Sequence, residues 1–214
     1  AQILSPKWLV RDFYEPNGNY NDPLMFYIEA GTHTITIKSV SGTYAVSKIR
    51  LHNEGEKISY DEYIAANDAQ GVVDATKYFE VETEDYTDKS DSILQSAYDR
   101  SDPKVTPYSV SKTTLNTFGG TNWNKSLGRV NYTVKVEEAG YYQLSFRFRQ
   151  SFMRGATIYR KLYIDNEIPF KEAEALAFDY GTGYQYTIAG REKEDGSVEP
   201  YKIYLPAGEH TISL

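Results

Sequence analysis

One segment of sixteen residues occurs twice in this 214-residue chain, once near each end. Residues 22–37, DPLMFYIEAGTHTITI, align without a gap with residues 199–214, EPYKIYLPAGEHTISL, and seven of the sixteen positions are identical. Solenoid repeats recur every ~20–50 residues, so these copies lie too far apart for that architecture. Their separation instead suits one copy in each of two domains, since domains commonly contain about 100–200 residues.

The repeated segment has the pattern of a β-hairpin. The turn reads Glu-Ala-Gly at residues 29–31 and Pro-Ala-Gly at residues 206–208, and a third copy of it, Glu-Ala-Gly, occurs at residues 138–140. A short turn that closes on glycine suits a hairpin in which glycine takes a positive φ angle. Side chains alternate between the two faces of a strand, so every second residue after each glycine faces the same way. We therefore predict three sets of buried residues, which are His33, Ile35 and Ile37; Tyr142, Leu144 and Phe146; and His210, Ile212 and Leu214.

The composition favours an all-β protein. The chain contains 20 Tyr, 9 Phe and 2 Trp, and aromatic residues suit the half-buried, pleated surface of a sheet. Further strands are predicted at residues 44–51, 78–83, 129–136 and 158–165, with an Asp-Asn turn in YIDNEIPF. A capping box that begins at Ser59 predicts a short helix at residues 60–67. The fold predicted from these signals is a β-sandwich of jelly-roll type.

Charge and cysteine content exclude several classes of function. The 30 acidic residues outnumber the 23 basic ones, which gives a net charge of −7, whereas binding to a nucleic-acid backbone needs a basic surface. The chain has no Cys, which argues against a disulfide scaffold. No apolar run approaches the ~20 residues that a transmembrane helix needs. We therefore expect no nucleic-acid partner and no membrane span.

Several motifs taken together resemble one protein family. They are FEVETEDYTDKSDS (79–92), DRSDP (99–103), LNTFGGTNW (115–123), EEAGYYQLSFRFRQSFMRG (137–155), RKLYIDNEIPFKEAEALAFDY (160–180) and EPYKIYLPAGEHTISL (199–214). Their order is similar to that of the tandem galactose-binding-like, carbohydrate-module-type domains that precede the transporter-type domain of large extracellular solute-binding lipoproteins of Firmicutes. The resemblance covers nearly the whole chain and implies a galactose-binding-like sandwich.

The repeat and the resemblance together predict the domain organisation. We expect residues 1–55 to be the C-terminal part of a first β-sandwich module and residues 56–76 to be a linker that carries the short helix. Residues 77–214 are expected to form a second module that is nearly complete but lacks its final strand or strands. In an alternative arrangement, residues 22–51 complete the sheet of the second module.

The resemblance implies a non-catalytic carbohydrate-binding module of a cell-surface solute-binding protein, within an ABC-type sugar-uptake system of a Gram-positive bacterium. It implies an extracellular location, a signal peptide upstream of Ala1, and neighbouring modules of the same polypeptide as partners. Two alternatives stay open, namely a structural spacer with no ligand and a fragment of a glycan-active enzyme. Three His without Cys offer no constellation for metal or nucleophilic catalysis, and nothing singles out a catalytic carboxylate pair. We therefore predict no enzymatic activity.

Candidate sugar-binding residues lie in two loops that contain glycine. They are Trp123 with Asn116, Asn122 and Asn124 in LNTFGGTNWN, and Tyr180, Tyr184 and Tyr186 in FDYGTGYQY. An aromatic ring stacked on the apolar face of a sugar, beside amides that bind hydroxyl groups, is typical of sugar sites. In the alternative interpretation, Trp123 plugs one end of the sandwich and the asparagines stabilise turns.

Arginines form a second candidate cluster. The inward phase of Leu144 and Phe146 places Arg147 and Arg149 on the opposite face of the same strand, and further arginines follow at 154 and 160. Such a patch on an acidic protein can clamp a carboxylate-bearing sugar, or it can pair with neighbouring Asp and Glu side chains. Both interpretations stay open.

Glu82 and Glu84 are candidate ligands for a structural Ca²⁺. Their spacing of two would place both on one face of a strand, where carboxylates repel each other unless they are solvated or bridged by a cation. The resemblance also points to this position, because sugar-binding jelly rolls carry a Glu-Ala-Glu motif there, although Thr83 replaces the alanine. Calcium takes six to eight oxygen ligands, and the sequence supplies only these two candidates. No cofactor is required by the sequence.

Overall fold

The computed structural model describes residues 12–15, 22–40, 42, 45–53, 55–102 and 105–214. The chain divides into two compact units, Ala1–Gly55 and Glu56–Leu214. Within the described residues, every helix and strand belongs to the second unit, and no helix combines the length and apolar character that a membrane span requires.

In its described residues, the second unit is all-β apart from one α-helix and two short 3-10 turns, as the aromatic composition predicts. The helix is α1 (Tyr60–Asp68), and the 3-10 turns are Gly120–Asn122 and Lys171–Glu174. The strands are β1 (Asp88–Lys89), β2 (Ser96–Ala97), β3 (Thr117–Phe118), β4 (Val130–Val136), β5 (Gly140–Gln143), β6 (Ser145–Phe148), β7 (Ile158–Arg160), β8 (Tyr163–Ile164), β9 (Leu176–Phe178), β10 (Gln185–Ile188), β11 (Gly190–Glu192), β12 (Val198–Pro200), β13 (Lys202–Leu205) and β14 (Gly208–Ser213).

One layer of the sandwich is a four-stranded antiparallel sheet in the order β1-β4-β14-β8. Six consecutive residue pairs join β4 to β14, from Gly208 opposite Val136 to Ser213 opposite Asn131. In β4, Val130, Tyr132, Val134 and Val136 are buried and alternate with more exposed polar residues. The prediction of a strand at residues 129–136 is therefore confirmed.

The second layer contains three longer extended segments, each made of two strands that flank one residue. β5 and β6 flank Leu144, β10 and β11 flank Ala189, and β12 and β13 flank Tyr201. β6 pairs with β10, β5 with β13, and β11 with β12, all antiparallel. The Ala189 N–H donates to the Leu144 carbonyl and the Tyr201 N–H to the Ala189 carbonyl, each at 2.8 Å, so the segments form one connected layer.

The core lies between residues of both layers, and α1 covers part of it. Val134 and Val136 of β4 belong to the same buried cluster as Ile203 of β13 and the fully buried Phe170. From α1, the Tyr60 ring meets Phe170 edge-on, with 5.0 Å between ring centroids. Such edge-to-face pairs add about 0.5–1.5 kcal/mol beyond the burial of area.

The helix begins where its capping box predicts. The Ser59 hydroxyl accepts from the backbone N–H of Glu62, and the Glu62 carboxylate accepts from the backbone N–H of Ser59 at 2.8 Å. These reciprocal bonds satisfy two donors that a helix N-terminus otherwise leaves unpaired. The predicted helix at residues 60–67 is confirmed, and it packs on the core of the second unit.

The two copies of the repeat share the same turn geometry. Gly31 has a φ of 147° and Gly208 a φ of 146°, in a region that favours glycine. The His33 Nε2 lies 2.8 Å from the Glu29 carbonyl oxygen, and the His210 Nε2 lies 2.8 Å from the Pro206 carbonyl oxygen. The sequence repeat is therefore a repeat of local structure.

Burial of the first copy was predicted wrongly. His33 is exposed, and the side chains of Ile35 and Ile37 are 51% and 42% exposed. In the second copy, β14 is covered because β4 and β8 pair with it, whereas the described part of residues 22–53 contains no strand. Alternation of apolar residues sets which way side chains face, but their burial requires a neighbouring strand.

Two other predicted strands are absent from the described residues. Residues 45–51 have no strand, and Tyr44 lies outside the described residues. Residues 78–83 are also without a strand, because the chain bends into a turn closed by a hydrogen bond from the Asp85 N–H to the Glu82 carbonyl. The predicted segment 158–165 is divided into β7 and β8.

The other two inward-facing sets are confirmed. His210 is buried, and the remaining members are partly buried and pack against the core cluster, namely Tyr142, Leu144, Phe146, Ile212 and Leu214. The third turn nevertheless differs from the other two, because Gly140 does not have the positive φ angle that the hairpin pattern predicted. Gly140 instead allows the backbone of residues 73–75 to lie against β5. The Tyr141 N–H donates to the Val73 carbonyl at 2.9 Å, and the Ala75 N–H donates to the Tyr141 carbonyl at 3.1 Å.

We predict that Gly140→Ala destabilises the second unit. A Cβ atom at this position would lie 2.8 Å from the Ala75 nitrogen and 2.9 Å from the Val73 oxygen, so backbone must move. We expect the free energy of unfolding in urea to fall by about 1–3 kcal/mol, the usual cost of overpacking. Gly183→Ala is the matched control, because a Cβ there meets no atom within 4 Å. Equal stability of the two variants would contradict the close-approach explanation.

The Asp-Asn turn is confirmed and brings a carboxylate to the buried histidine. Asp165 and Asn166 have φ angles of 52° and 70°, as a two-residue type I′ turn requires. The Asp165 Oδ2 lies 2.6 Å from the His210 Nδ1, and its Oδ1 accepts from the Thr211 N–H at 2.8 Å. Both ring nitrogens of His210 therefore face acceptors. Although burial lowers the pKa of His210, the bonds to Asp165 and to the Pro206 carbonyl raise it above its usual value.

This pKa shift predicts how stability depends on pH. Because the folded-state pKa of His210 is raised, its contribution is fully present below the unfolded-state pKa of about 6.5 and is lost as pH rises through the folded-state value. We expect the melting temperature of the wild-type chain to fall as pH rises above about 6.5. His210→Gln removes this component. If the melting temperatures of the two proteins change by the same amount as pH rises, His210 is not the group responsible for the pH dependence.

Candidate functional site

Trp123, the first candidate platform for a sugar, follows the 3-10 turn Gly120–Asn122 and is half-buried. Its Nε1 donates to the Gly128 carbonyl at 2.9 Å. The Arg160 guanidinium lies 4.8 Å from the ring centre, and the Phe118 ring meets it edge-on at 5.5 Å. Arg160 also donates to the Trp123 carbonyl, and burial lowers its pKa. The indole is thus held by a cation and a second ring.

Two glycines leave the space that this indole fills. A Cβ on Gly119 would lie 2.9 Å from the indole Cε3, and one on Gly128 would lie 3.1 Å from its Cδ1. Asn122 and Asn124 are exposed on the same loop. The tight packing of the indole favours a stabilising role for Trp123, which was the alternative interpretation of this loop.

Asn116 lies away from solvent and fixes the backbone of Asp99. Its side chain is buried, its Nδ2 donates to the Asp99 carbonyl at 2.9 Å, and its Oδ1 accepts from the Asp99 N–H at 2.8 Å. This pair of bonds resembles that of neighbouring strands in a sheet. Asn116 therefore acts through Asp99 and does not present its amide to solvent.

The Asp99 carboxylate joins three other residues. Its Oδ2 accepts from the Tyr184 hydroxyl at 2.8 Å and lies 2.8 Å from the Arg149 Nη2. Its Oδ1 accepts from the Ser101 N–H at 2.7 Å. Burial acts to raise the pKa of Asp99, but the bonds from Ser101 and Tyr184 and the charge of Arg149 bring it below its usual value. Burial and the bond to Asp99 raise the pKa of Tyr184.

Sequence reasoning missed Asp99 as a site residue. The only local signal is DRSDP at residues 99–103, where a Ser two positions after an Asp suits a turn closed by the Asp side chain. Apart from Ser101, the partners of Asp99 lie far away in the sequence, at 116, 149 and 184. The structure thereby brings together Asn116, Arg149 and Tyr184, which the sequence assigned to separate clusters.

Four side chains from two paired strands and their flanks form one outward-facing surface, which we call the tyrosine–arginine face: Arg147, Arg149, Tyr184 and Tyr186. Arg147 lies directly opposite Tyr186 in the β6–β10 pairing. Its guanidinium is 5.4 Å from the centre of the Tyr184 ring and 5.8 Å from that of Tyr186. Arg149 is 5.0 Å from the Tyr184 ring centre. These distances fall within the range of cation–π attraction.

The two arginines of this face differ in their ionic partners. Arg149 is paired with Asp99 and also donates to the Ser101 hydroxyl. Within the described residues, Arg147 has no carboxylate at ion-pair distance. The Tyr186 ring is 77% exposed beside it. The face therefore combines an exposed ring, a second ring fixed through its hydroxyl, and a cation without a carboxylate partner.

A loop after β6 is held by one buried side chain. The Gln150 Oε1 accepts from the backbone N–H groups of Phe152 and Met153, each at 3.1 Å, and its Nε2 donates to the Ala156 carbonyl at 2.8 Å. Phe152 and Met153 are exposed at the tip of this loop. The Gln150 carbonyl accepts from the Gly181 N–H at 2.8 Å, next to the partly buried Tyr180.

Glu82 and Glu84 do not lie on a strand, which corrects the geometric argument for a calcium site. Thr83 and Glu84 lie in a turn. The Glu84 Oε2 is buried and has no hydrogen-bond partner in the described chain, and burial raises the pKa of its carboxyl. Across the described ranges, no group of three or more His, Cys, Asp or Glu side chains is arranged to hold a metal ion.

Comparisons with known proteins found no matching family and one distantly similar solved structure. No protein-family model matches the chain, and no curated protein sequence matches it. Among solved structures, a cycloisomaltooligosaccharide glucanotransferase of Paenibacillus sp., crystallised with cycloisomaltoheptaose, is similar at a TM-score of 0.45 and 19% sequence identity. The match covers 74% of this chain but only 21% of that enzyme. A similarity of this size transfers neither an activity nor a ligand.

We predict that Trp123→Ala lowers the stability of the chain. Removing an indole that is packed against Arg160 and Phe118 should reduce the free energy of unfolding by on the order of 3 kcal/mol. Asn124→Ala, on the exposed side of the same loop, is the control and should change stability by less than about 0.5 kcal/mol. If Trp123→Ala instead keeps its melting temperature and loses binding to a glycan, the indole is a sugar platform after all.

Proposed function

We propose that the second unit is a non-catalytic carbohydrate-binding module and that the tyrosine–arginine face is its ligand site. The observation that carries the proposal is the Tyr186 ring, which is 77% exposed on a paired strand beside a guanidinium. An exposed ring can stack on the apolar face of a pyranose, and neighbouring polar groups can then bind its hydroxyls. Together with tryptophan, tyrosine and arginine are also enriched among the few residues that carry most of the binding energy in protein–protein interfaces.

The construction of the face supports this proposal, because its two strands and the Tyr184 ring are fixed before a ligand arrives. β6 and β10 are joined by four consecutive residue pairs, from Ser145 opposite Ile188 to Phe148 opposite Gln185. Tyr184 is held through its hydroxyl by Asp99. Side chains that are already ordered lose little conformational entropy on binding, so more of the contact energy appears as affinity.

The wider setting of the module is proposed from the sequence resemblance. We propose a galactose-binding-like jelly roll that belongs to a cell-surface solute-binding protein of an ABC-type sugar-uptake system, with neighbouring modules of the same polypeptide as partners. An extracellular location is part of this proposal. In this setting, the module would hold glycan near the transport domain without altering it chemically.

A structural spacer is the second candidate function, and two observations favour it. Trp123 is packed within its own loop, and Arg149 is neutralised by Asp99 inside the unit. A spacer would satisfy its polar groups internally in this way. The two functions differ in what they predict for Tyr186, since a spacer needs no exposed ring.

We predict that Tyr186→Ala weakens glycan binding by about 1–2 kcal/mol, because the variant loses apolar area that the sugar would cover. The full 214-residue chain should be screened against neutral and charged polysaccharides by affinity electrophoresis, and each positive should be measured by calorimetry. Melting temperature should be nearly unchanged, since the ring is mostly in solvent.

Tyr78→Ala is the matched control, because Tyr78 is also strongly exposed, at 85%, and lies outside the face. It should bind as the wild type does. Absence of binding to every polysaccharide in the screen would favour the spacer. Binding that survives in Tyr186→Ala at full strength would place the sugar site elsewhere on the unit.

A further inference from the structure

We propose that the ligand of the tyrosine–arginine face is an acidic glycan, with a uronate carboxylate bound by Arg147 and its pyranose ring stacked on Tyr186. This inference rests on the proposed carbohydrate-binding function and names its substrate class. It follows from an asymmetry between two arginines that lie on the same face of the same strand segment.

The two arginines of the face differ in whether a carboxylate neutralises them. At one end, the Asp99 carboxylate lies 2.8 Å from the Arg149 guanidinium and neutralises it. At the other end, Arg147 contacts the rings of Tyr184 and Tyr186 and has no carboxylate partner in the described chain. The whole chain carries a net charge of −7. Arg147 is therefore a positive charge without a carboxylate partner on a protein that is negative overall, and an anionic ligand would complement it.

The geometry also brings the two contacts within the span of one sugar. Arg147 and Tyr186 are directly opposite each other across β6 and β10, so their Cβ atoms are about 4.5–5.5 Å apart. A hexuronate carries its carboxylate on the ring carbon next to the ring oxygen, so ring and carboxylate lie within a similar distance. A guanidinium presents two parallel N–H groups that match the two oxygens of a carboxylate.

The position of Asp99 restricts where the carboxylate can lie. Asp99 repels an anion that approaches Arg149, and it already occupies the Nη2 side of that guanidinium. The Tyr184 hydroxyl donates to the same Asp99 oxygen and is not available as a donor to the ligand. The anion is thus directed to the Arg147 end of the face, where its partner ring is the exposed Tyr186.

The test compares matched ligands that differ only in charge. Oligogalacturonate, oligoglucuronate and oligomannuronate are each titrated into the full 214-residue chain beside their methyl esters, which keep the ring and remove the anion. We expect at least one acid to bind about tenfold more tightly than its ester, which is the size expected of a charge-assisted hydrogen bond. Binding should weaken as salt is added, because the contact is partly solvent-exposed.

Variants then assign the charge dependence to one residue. Arg147→Met should remove the preference for acid over ester, and Arg147→Lys should restore only part of the preference because it lacks the planar fork. Lys135→Met is the charge-matched control, since it removes one cation from an exposed position of β4, and it should keep the full preference. Tyr186→Ala should weaken acid and ester alike.

The outcomes separate this inference from the proposed function. If acids and esters bind equally, and Arg147→Met binds as the wild type does, the acidic-glycan inference is wrong while carbohydrate binding stands. Dextran sulfate, a sulfated polysaccharide without uronate, tests for general charge attraction. If it binds as tightly as the uronates, or if Arg147→Met and Lys135→Met weaken acid binding equally, general charge attraction explains the effect and the acidic-glycan inference is also wrong. If no saccharide of either kind binds, the proposed function fails, and the inference falls with it.

Discussion

The antiparallel pairing of β4 with β14 is the interaction on which the rest of the second unit depends. β14 lies between β4 and β8, so its register decides what each neighbour presents to the core. A slip of β14 by one residue would turn its inward side chains, His210 and Ile212, away from the core, because side chains alternate along a strand. The turn at Gly208 and the bonds of His210 to Asp165 and Pro206 oppose such a slip at the end of the pairing where β14 begins.

The candidate site depends on a carboxylate that belongs to a loop and not to the strands of the face. Asp99 is fixed by Asn116 and in turn fixes Tyr184 and Arg149. Asn116, Arg149 and Tyr184 could be predicted as candidate site residues from their residue type and from the alternation of side chains along a strand, because both are local properties of the sequence. The sequence could not identify Asp99, since the contacts that give Asp99 its role join residues 17 and 85 positions apart.

The same distinction explains the success and failure of the fold predictions. The strand β4, the inward faces of the β5–β6 segment and of β14, the α1 capping box and the Asp-Asn turn were predictable because turn chemistry and alternation act over a few residues. Burial of Ile35 and Ile37 was not, because it requires a partner strand from elsewhere. VETE at residues 81–84 was misjudged since its alternation of Glu with Val and Thr fits a turn as well as a strand.

In the loop after β6, one buried side chain sets the backbone conformation and different, exposed side chains form the surface. The loop conformation is set by the buried amide of Gln150, which bonds to the backbone of residues 152, 153 and 156. The exposed side chains at its tip do not hold that backbone. The side chains at the tip could therefore change during evolution while the loop keeps its backbone conformation. Related modules could then differ in the ligands they contact without differing in fold.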